Sequence, residues 1–417
     1  MGSMKKILKL SEDGKTVKLL KDESITHISI PDGVTTIGRE AFSRCSSLCS
    51  IDLPESLTQI DAFAFQYCTS LQSISLPDNL ESIGENAFMK CSSLSSVILP
   101  EGLKYISHGA FADCNSLKKV VIPQSVRYIH QSAFSDCSSL EDIDIPYGVA
   151  VIDYDVFRGC TSLKTLDIPN SVISIGKGAF TECHGLQSVD IPNSVESIGS
   201  HAFSGCSSLT QIRIPDSVKS IGEFAFCRCD SLCTINIPHG LAEISDMMFC
   251  KCSSLKNIEI PNSVKSIGWR SFEESGITEI YIPKSISDIE CGAFHGCQIK
   301  TFSVSEENEY FISRDGVLLK RMNASGTEWK LVKSPYLKEI VQYRIDSDII
   351  EIEAYAFEQD NIERLYCRLV DLDDIMLSDK AFNQLLYEKC VLYIPAGTRW
   401  AYKHHPVFGK FKNIEIE

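Results

Sequence analysis

The chain has 417 residues, 55 acidic and 40 basic, for a net charge of −15. That balance argues against a general nucleic-acid binder or a protein held on an anionic membrane, and no stretch of 18 apolar residues is present to insert as a helix. Eighteen cysteines without an apolar leader fit a reducing compartment.

Met1-Gly2-Ser3 ahead of Met4 reads as an added leader. The native start is then Met4 and the chain as written is expected in the cytoplasm, or at the cell surface if the true start lies upstream. Residues 1–24 predict a hairpin cap, with Ile7-Leu8-Lys9-Leu10 and Thr16-Val17-Lys18-Leu19 flanking the turn Ser11 to Lys15. Such a cap covers the apolar end that a first repeat would expose.

From residue 25 to 302 one unit repeats. Pro31, Pro54, Pro77, Pro100, Pro123, Pro146, Pro169, Pro192, Pro215, Pro238 and Pro261 stand 23 residues apart without a slip. A fixed period of this size means stacked units that bury their apolar side only against neighbours. The clean copy from Leu186 to Cys206, LQSVDIPNSVESIGSHAFSGC, has the general form L-x-x-I-x-I-P-x-x-V-x-x-I-G-x-x-A-F-x-x-C, with Val189 at the first isoleucine position. The alternation before proline predicts a half-buried strand, which proline ends because it has no N–H for the ladder. The glycine of V-x-x-I-G predicts a tight turn, and A-F-x-x-C a short turn of helix or 3₁₀. A phenylalanine column from Phe42 to Phe272 and a cysteine column from Cys45 to Cys252 keep the 23-residue step. The rings are expected to fill the interior and the thiols to satisfy turn backbone. The expected fold is an α/β repeat solenoid with a parallel sheet of 23-residue units, capped at both ends.

Residues 303–349 break the period, and Arg314-Asp315-Gly316-Val317 predicts an Asp-Gly turn between two strands. Residues 350–417 read as degenerate repeats, resuming at Ile350 and closing through a short helix and a final strand Asn413 to Ile416.

The unit I-P-x-x-V-x-x-I-G-x-x-A-F-x-x-C-x-S-L resembles the BspA-like (treponemal-type) leucine-rich repeat. The interruption Asp315-Gly316-Val317-Leu318 and the ending from Leu392 through Tyr402 to Ile414 are similar to those of members from Bacteroidetes. The resemblance implies a right-handed leucine-rich-repeat superhelix that binds proteins. Some surface members of the family are adhesins for host matrix or plasma glycoproteins, which is the alternative function.

Candidate binding residues follow from the strand alternation. Outward positions include Ile98, Val121, Asp144, Asp167, Asp190, Arg213 and Tyr281. Three consecutive aspartates form an acidic row for a basic partner or, more blandly, a solvated face. Ile98 and Val121 form an apolar pair, and Tyr281 is the chief aromatic that a sugar could stack on. Cys227-Arg228-Cys229 and Cys250-Lys251-Cys252 have zinc-like spacing, but two of the four thiols belong to the buried column, so no metal site is expected. No G-x-S-x-G, H-E-x-x-H or phosphate loop occurs. The reading is a non-catalytic, monomeric binding solenoid with no cofactor, whose partner is another protein.

Overall fold

The structure, a computed structural model, describes residues 7–336, 341–358 and 362–417. The chain divides into two units, Met1–Pro238 and His239–Glu417. Each is a parallel-sheet repeat solenoid, as the period requires.

In the first unit a repeat typically contributes two short strands. The strand before proline forms one column, in which Lys119–Val121 pairs with Ser96–Ile98 and Thr165–Asp167 with Ser188–Asp190. Its central residues, such as Val97, Val120, Leu166 and Val189, point inward and are 2–5% exposed. The column is broken into short pieces; no strand forms before Pro77, where the ladder thins to single bonds such as Ser95 N–H to the Gln72 carbonyl at 3.1 Å.

The V-x-x-I-G segment is not the tight turn the sequence implies. Its x-I pair makes a second strand column, with Ile129 beside Ile106 and Ile152, and Ile175 beside Ile198. The glycine is set by close stacking: a Cβ on Gly84 would lie 2.4 Å from the Ala62 nitrogen, and one on Gly222 2.4 Å from that of Ser200. Where Ser107 replaces the glycine, its hydroxyl donates to the Ile83 carbonyl.

The A-F-x-x-C segment is also not helical. It runs as consecutive turns with two left-handed residues per repeat, for example Glu40 at φ 59° and Arg44 at φ 65°. These conformations cost an L-residue about 1–2 kcal/mol. Here they aim the N–H groups of Glu40, Phe42 and Arg44 at the carbonyls of Ala62, Ala64 and Gln66 in the next repeat. The turn face is therefore laddered as the strands are. Between these walls the phenylalanines stack nearly parallel, from Phe42 on Phe65 at 5.1 Å to Phe203 on Phe226 at 5.6 Å.

The hairpin Leu8–Leu10 with Thr16–Leu20 lies at the start, and Val17 pairs with Ile37, the first strand of the second column.

The second unit begins with the same plan: Ser266–Ile267 pairs with Asp288–Ile289, and Glu279–Ile282 with Thr301–Val304. Then Asn308 ends the regular stack. Buried, it donates to the Pro283 and Ile286 carbonyls at 2.7 and 3.0 Å and accepts from the N–H groups of Tyr310 and Phe311 at 2.8 and 2.7 Å. The Asp315-Gly316 turn joins Phe311–Arg314 to Val317–Arg321. A third strand, Trp329–Lys333, extends this antiparallel sheet and then pairs parallel with Ile349–Ile352, returning the chain to the repeat. A four-stranded parallel sheet follows, Gln342–Ile345, Arg364–Cys367, Val391–Ile394 and Asn413–Ile416. The helices Gln384–Lys389 and Arg399–His404 lie in this end of the chain, which is where the α part of the fold sits.

Candidate functional site

The outward face of the first strand column carries the expected acidic row. Asp144, Asp167 and Asp190 are all exposed. Asp167 and Asp190 are register partners, and the Asp190 backbone makes an isolated parallel β-bridge with that of Arg213 on the following repeat. Among the described residues no cation forms an ion pair with any of the three aspartates. Asp52, earlier in the same row, differs: it is held by Ser29 at 2.7 Å and faces His27 at 3.3 Å. Just beyond the acidic row lies a shallow groove of about 470 Å³ over Ser188–Asp190, Gln211–Arg213 and Thr234–Asn236. Asn236 does not reach outward from it. Its amide is spent on the backbone of Ile214, accepting at 2.8 Å and donating at 2.7 Å.

Ile98 and Val121 are register partners on the same column, 70% and 43% exposed. Tyr281 is exposed on Glu279–Ile282 in the second unit. The candidates thus divide into the acidic row with Arg213, the apolar pair and a tyrosine on the other unit.

A second exposed row escaped the sequence reading. Tyr105, Tyr128 and Val151 stand on successive strands of the second column. The His130 ring lies 6.0 and 6.1 Å from the two tyrosines and stacks on His108 at 5.0 Å. Their 23-residue spacing was visible, but reading V-x-x-I-G as a turn gave those residues no common face.

The cysteine column is structural. Cys68 donates to the Phe42 carbonyl at 3.0 Å, Cys137 to Phe111 at 3.1 Å and Cys183 to Phe157 at 3.0 Å. Each of these carbonyls also accepts the N–H of the cysteine three residues on, so both lone pairs are used. Burial pushes the Cys183 thiol up to about 12, which suppresses thiolate chemistry. Cys250 lies 3.7 Å from a Glu273 oxygen, and among the described residues no three metal-ligating side chains converge.

Buried charges gather in the second unit, where the irregular segment meets the repeats. Glu358 accepts from His295, Lys333 and the Gly296 N–H. Burial alone would raise its carboxyl, but these donors outweigh that and hold it below the usual range. Glu273 is paired with Arg270 at 2.9 Å, whose guanidinium also donates to the Tyr355 hydroxyl. These groups fasten Trp329–Lys333 and the residues after it to the stack.

A family model described as "BspA type Leucine rich repeat region (6 copies)" matches residues 18–141, 58–186, 130–221 and 174–301. The chain belongs to the BspA-type leucine-rich-repeat family. Among solved structures it is similar to a leucine-rich repeat protein from Bacteroides ovatus, at 26% identity over 72% of this chain and 92% of that one, with a TM-score of 0.57. It is also similar to a leucine rich cell surface protein from Faecalibacterium prausnitzii, at 27% identity over 72% and 92% of the two chains and a TM-score of 0.46. A third is the T. pallidum leucine rich repeat protein, at 28% identity over 54% and 88%, with a TM-score of 0.30. The chain matches no curated protein. The BspA-type repeat is a binding scaffold, and no described helix of this member is long and apolar enough to cross a membrane.

Proposed function

We propose that this BspA-type chain is a non-catalytic binding solenoid that takes a protein partner with a basic surface on the first strand column. The observation that carries this reading is the row Asp144, Asp167 and Asp190, exposed and without ion-pair partners beside the groove at Arg213. Like charges on neighbouring strands oppose one another unless something neutralises them, and a basic partner does so. The interaction is electrostatically steered, so it weakens with salt as exposed charges are screened over about 8–10 Å.

The test replaces all three aspartates by asparagine and measures surface kinetics with a partner captured on the wild-type chain. The association rate should fall more than the dissociation rate rises. An unchanged association rate without salt dependence would move the contact to the apolar pair Ile98 and Val121.

A further inference from the structure

The irregular segment creates a recess of small-molecule dimensions. The turn between Phe311–Arg314 and Val317–Arg321 and the edge strand Gln342–Ile345 with its neighbour Arg364–Cys367 border a half-open cleft of about 480 Å³, whose floor includes the core residues Leu331, Tyr343, Ile349 and Phe357. Small-molecule sites span roughly 300–1,000 Å³ and combine apolar walls with a few convergent polar groups. Three arginines line this cleft, Arg314 from the hairpin and Arg344 and Arg368 from the sheet, together with the carboxylates Asp315, Asp346 and Glu417. Arg344 is the register partner of Tyr366, whose ring is braced against Tyr393 at 4.8 Å. Val317 and Leu319 supply an apolar wall.

The three arginines differ in how far they are occupied. Arg314 is committed to Asp348, with its two terminal nitrogens 3.1 and 3.0 Å from the carboxylate. Arg344 uses Nε on Asp346 at 2.7 Å, and no described residue engages its terminal nitrogens. Arg368 comes no nearer than 3.7 Å to Glu417, beyond hydrogen-bond distance. Arg344 and Arg368 are each about half exposed. Two planar donor forks therefore face one recess beside a braced aromatic ring. A guanidinium fork matches the oxygens of a carboxylate or phosphate, and the ring and apolar wall suit an uncharged body attached to it.

We propose that this cleft binds a small organic acid, a ring or apolar body bearing one oxyanion. Arg344 and Arg368 grip the oxyanion, and Tyr366 with Val317 holds the body. The site is in the second unit and does not depend on the protein-binding reading of the first.

The test is calorimetric titration of the full chain with phenylacetate, phenyl phosphate, inorganic phosphate and 2-phenylethanol. Saturable one-to-one binding of phenylacetate or phenyl phosphate is expected, and the tighter of the two identifies the oxyanion. Arg344→Gln and Arg368→Gln should each weaken it about tenfold or more, the usual loss for a hydrogen bond to a charged group. Arg368 has a loose, solvent-exposed ion pair with Glu417 at 3.7 Å, worth little to stability, so its variant should keep the wild-type thermal unfolding even if Arg344→Gln does not. Binding of 2-phenylethanol as tight as that of the acids would overturn the proposal. So would inorganic phosphate binding as well as phenyl phosphate, no binding by either acid, or full affinity in a folded Arg368→Gln chain.

Discussion

The regular stack of the first unit and the irregular turn of the second solve one problem by different means. Every buried backbone donor and acceptor must be paired. In the first unit the repeat does this anonymously: each Phe carbonyl meets the N–H of one cysteine and the thiol of the next repeat's. In the second unit two repeats lose a residue, and the period fails after Thr301–Val304. There the pairing passes to individual side chains, Asn308 with four bonds and Glu358 with three donors. Periodicity yields a continuous, laddered surface suited to a macromolecule. Its failure yields buried polar groups and a cleft.

The largest expected effect is on the periodic side. Phe157 is fully buried, with Phe134 at 5.9 Å on one side and Phe180 at 5.6 Å on the other. Phe157→Ala should cost about 3–5 kcal/mol, because neighbours locked in both directions cannot collapse into the gap. Denaturant unfolding gives the number, and hydrogen exchange should place the loss in the repeats around it. A cost below about 1 kcal/mol, the range of volume-conserving core swaps, would mean the ring column is not the core.

On the irregular side the sensitive group is polar. Asn308→Ala would remove the side-chain partner of the Ile286 carbonyl and of the Tyr310 and Phe311 N–H groups, while the Pro283 carbonyl keeps the Ile286 N–H, at about 1–3 kcal/mol for a buried group left unpaired. Exchange should quicken at Tyr310 and Phe311, whose N–H groups the amide now holds. Asn308→Asp should not restore protection fully, because a carboxylate cannot donate to Pro283 and Ile286. If both variants behave as wild type, the stack is ended by something other than this amide.

How much of this was legible depended on whether a residue acts by repetition. The column of Phe42, Phe65 and their successors, the inward thiols and the outward Asp144, Asp167 and Asp190 all follow from period and alternation. The second strand column did not, because a two-residue strand such as Ser174–Ile175 is too short to show alternation, and its glycine suggested a turn. The left-handed residues also escaped: Glu40, Phe63 and His201 adopt φ near 60° without the glycine that would announce it. In the cleft, Arg314, Arg344 and Arg368 occur once each, and only the fold brings them together.

The sharpest contrast between the two regions is in pH. Cys183 is pushed from 9.0 up to about 12 by burial. The folded chain keeps a proton there that the unfolded chain loses above about pH 9, so its stability is intact below that pH and falls as pH rises toward the folded value. The loss is about 1.4 kcal/mol for each pH unit in that window. Glu358 has the opposite sign. Its donors hold it below the ordinary 4.5, so its contribution is present above about pH 4.5 and is lost as pH falls through its lower folded value. Exchange followed across pH should show the Cys183 repeats weakening in base and the segment around Lys333 and Glu358 weakening in acid. Cys183→Ala should make the alkaline limb shallower by one thiol's share and leave the acid limb unchanged, because the neighbouring buried thiols are raised as well; Glu358→Gln should make only the acid limb shallower. If the two regions instead share one pH profile, the thiol ladder and the buried carboxylate are not what distinguishes them.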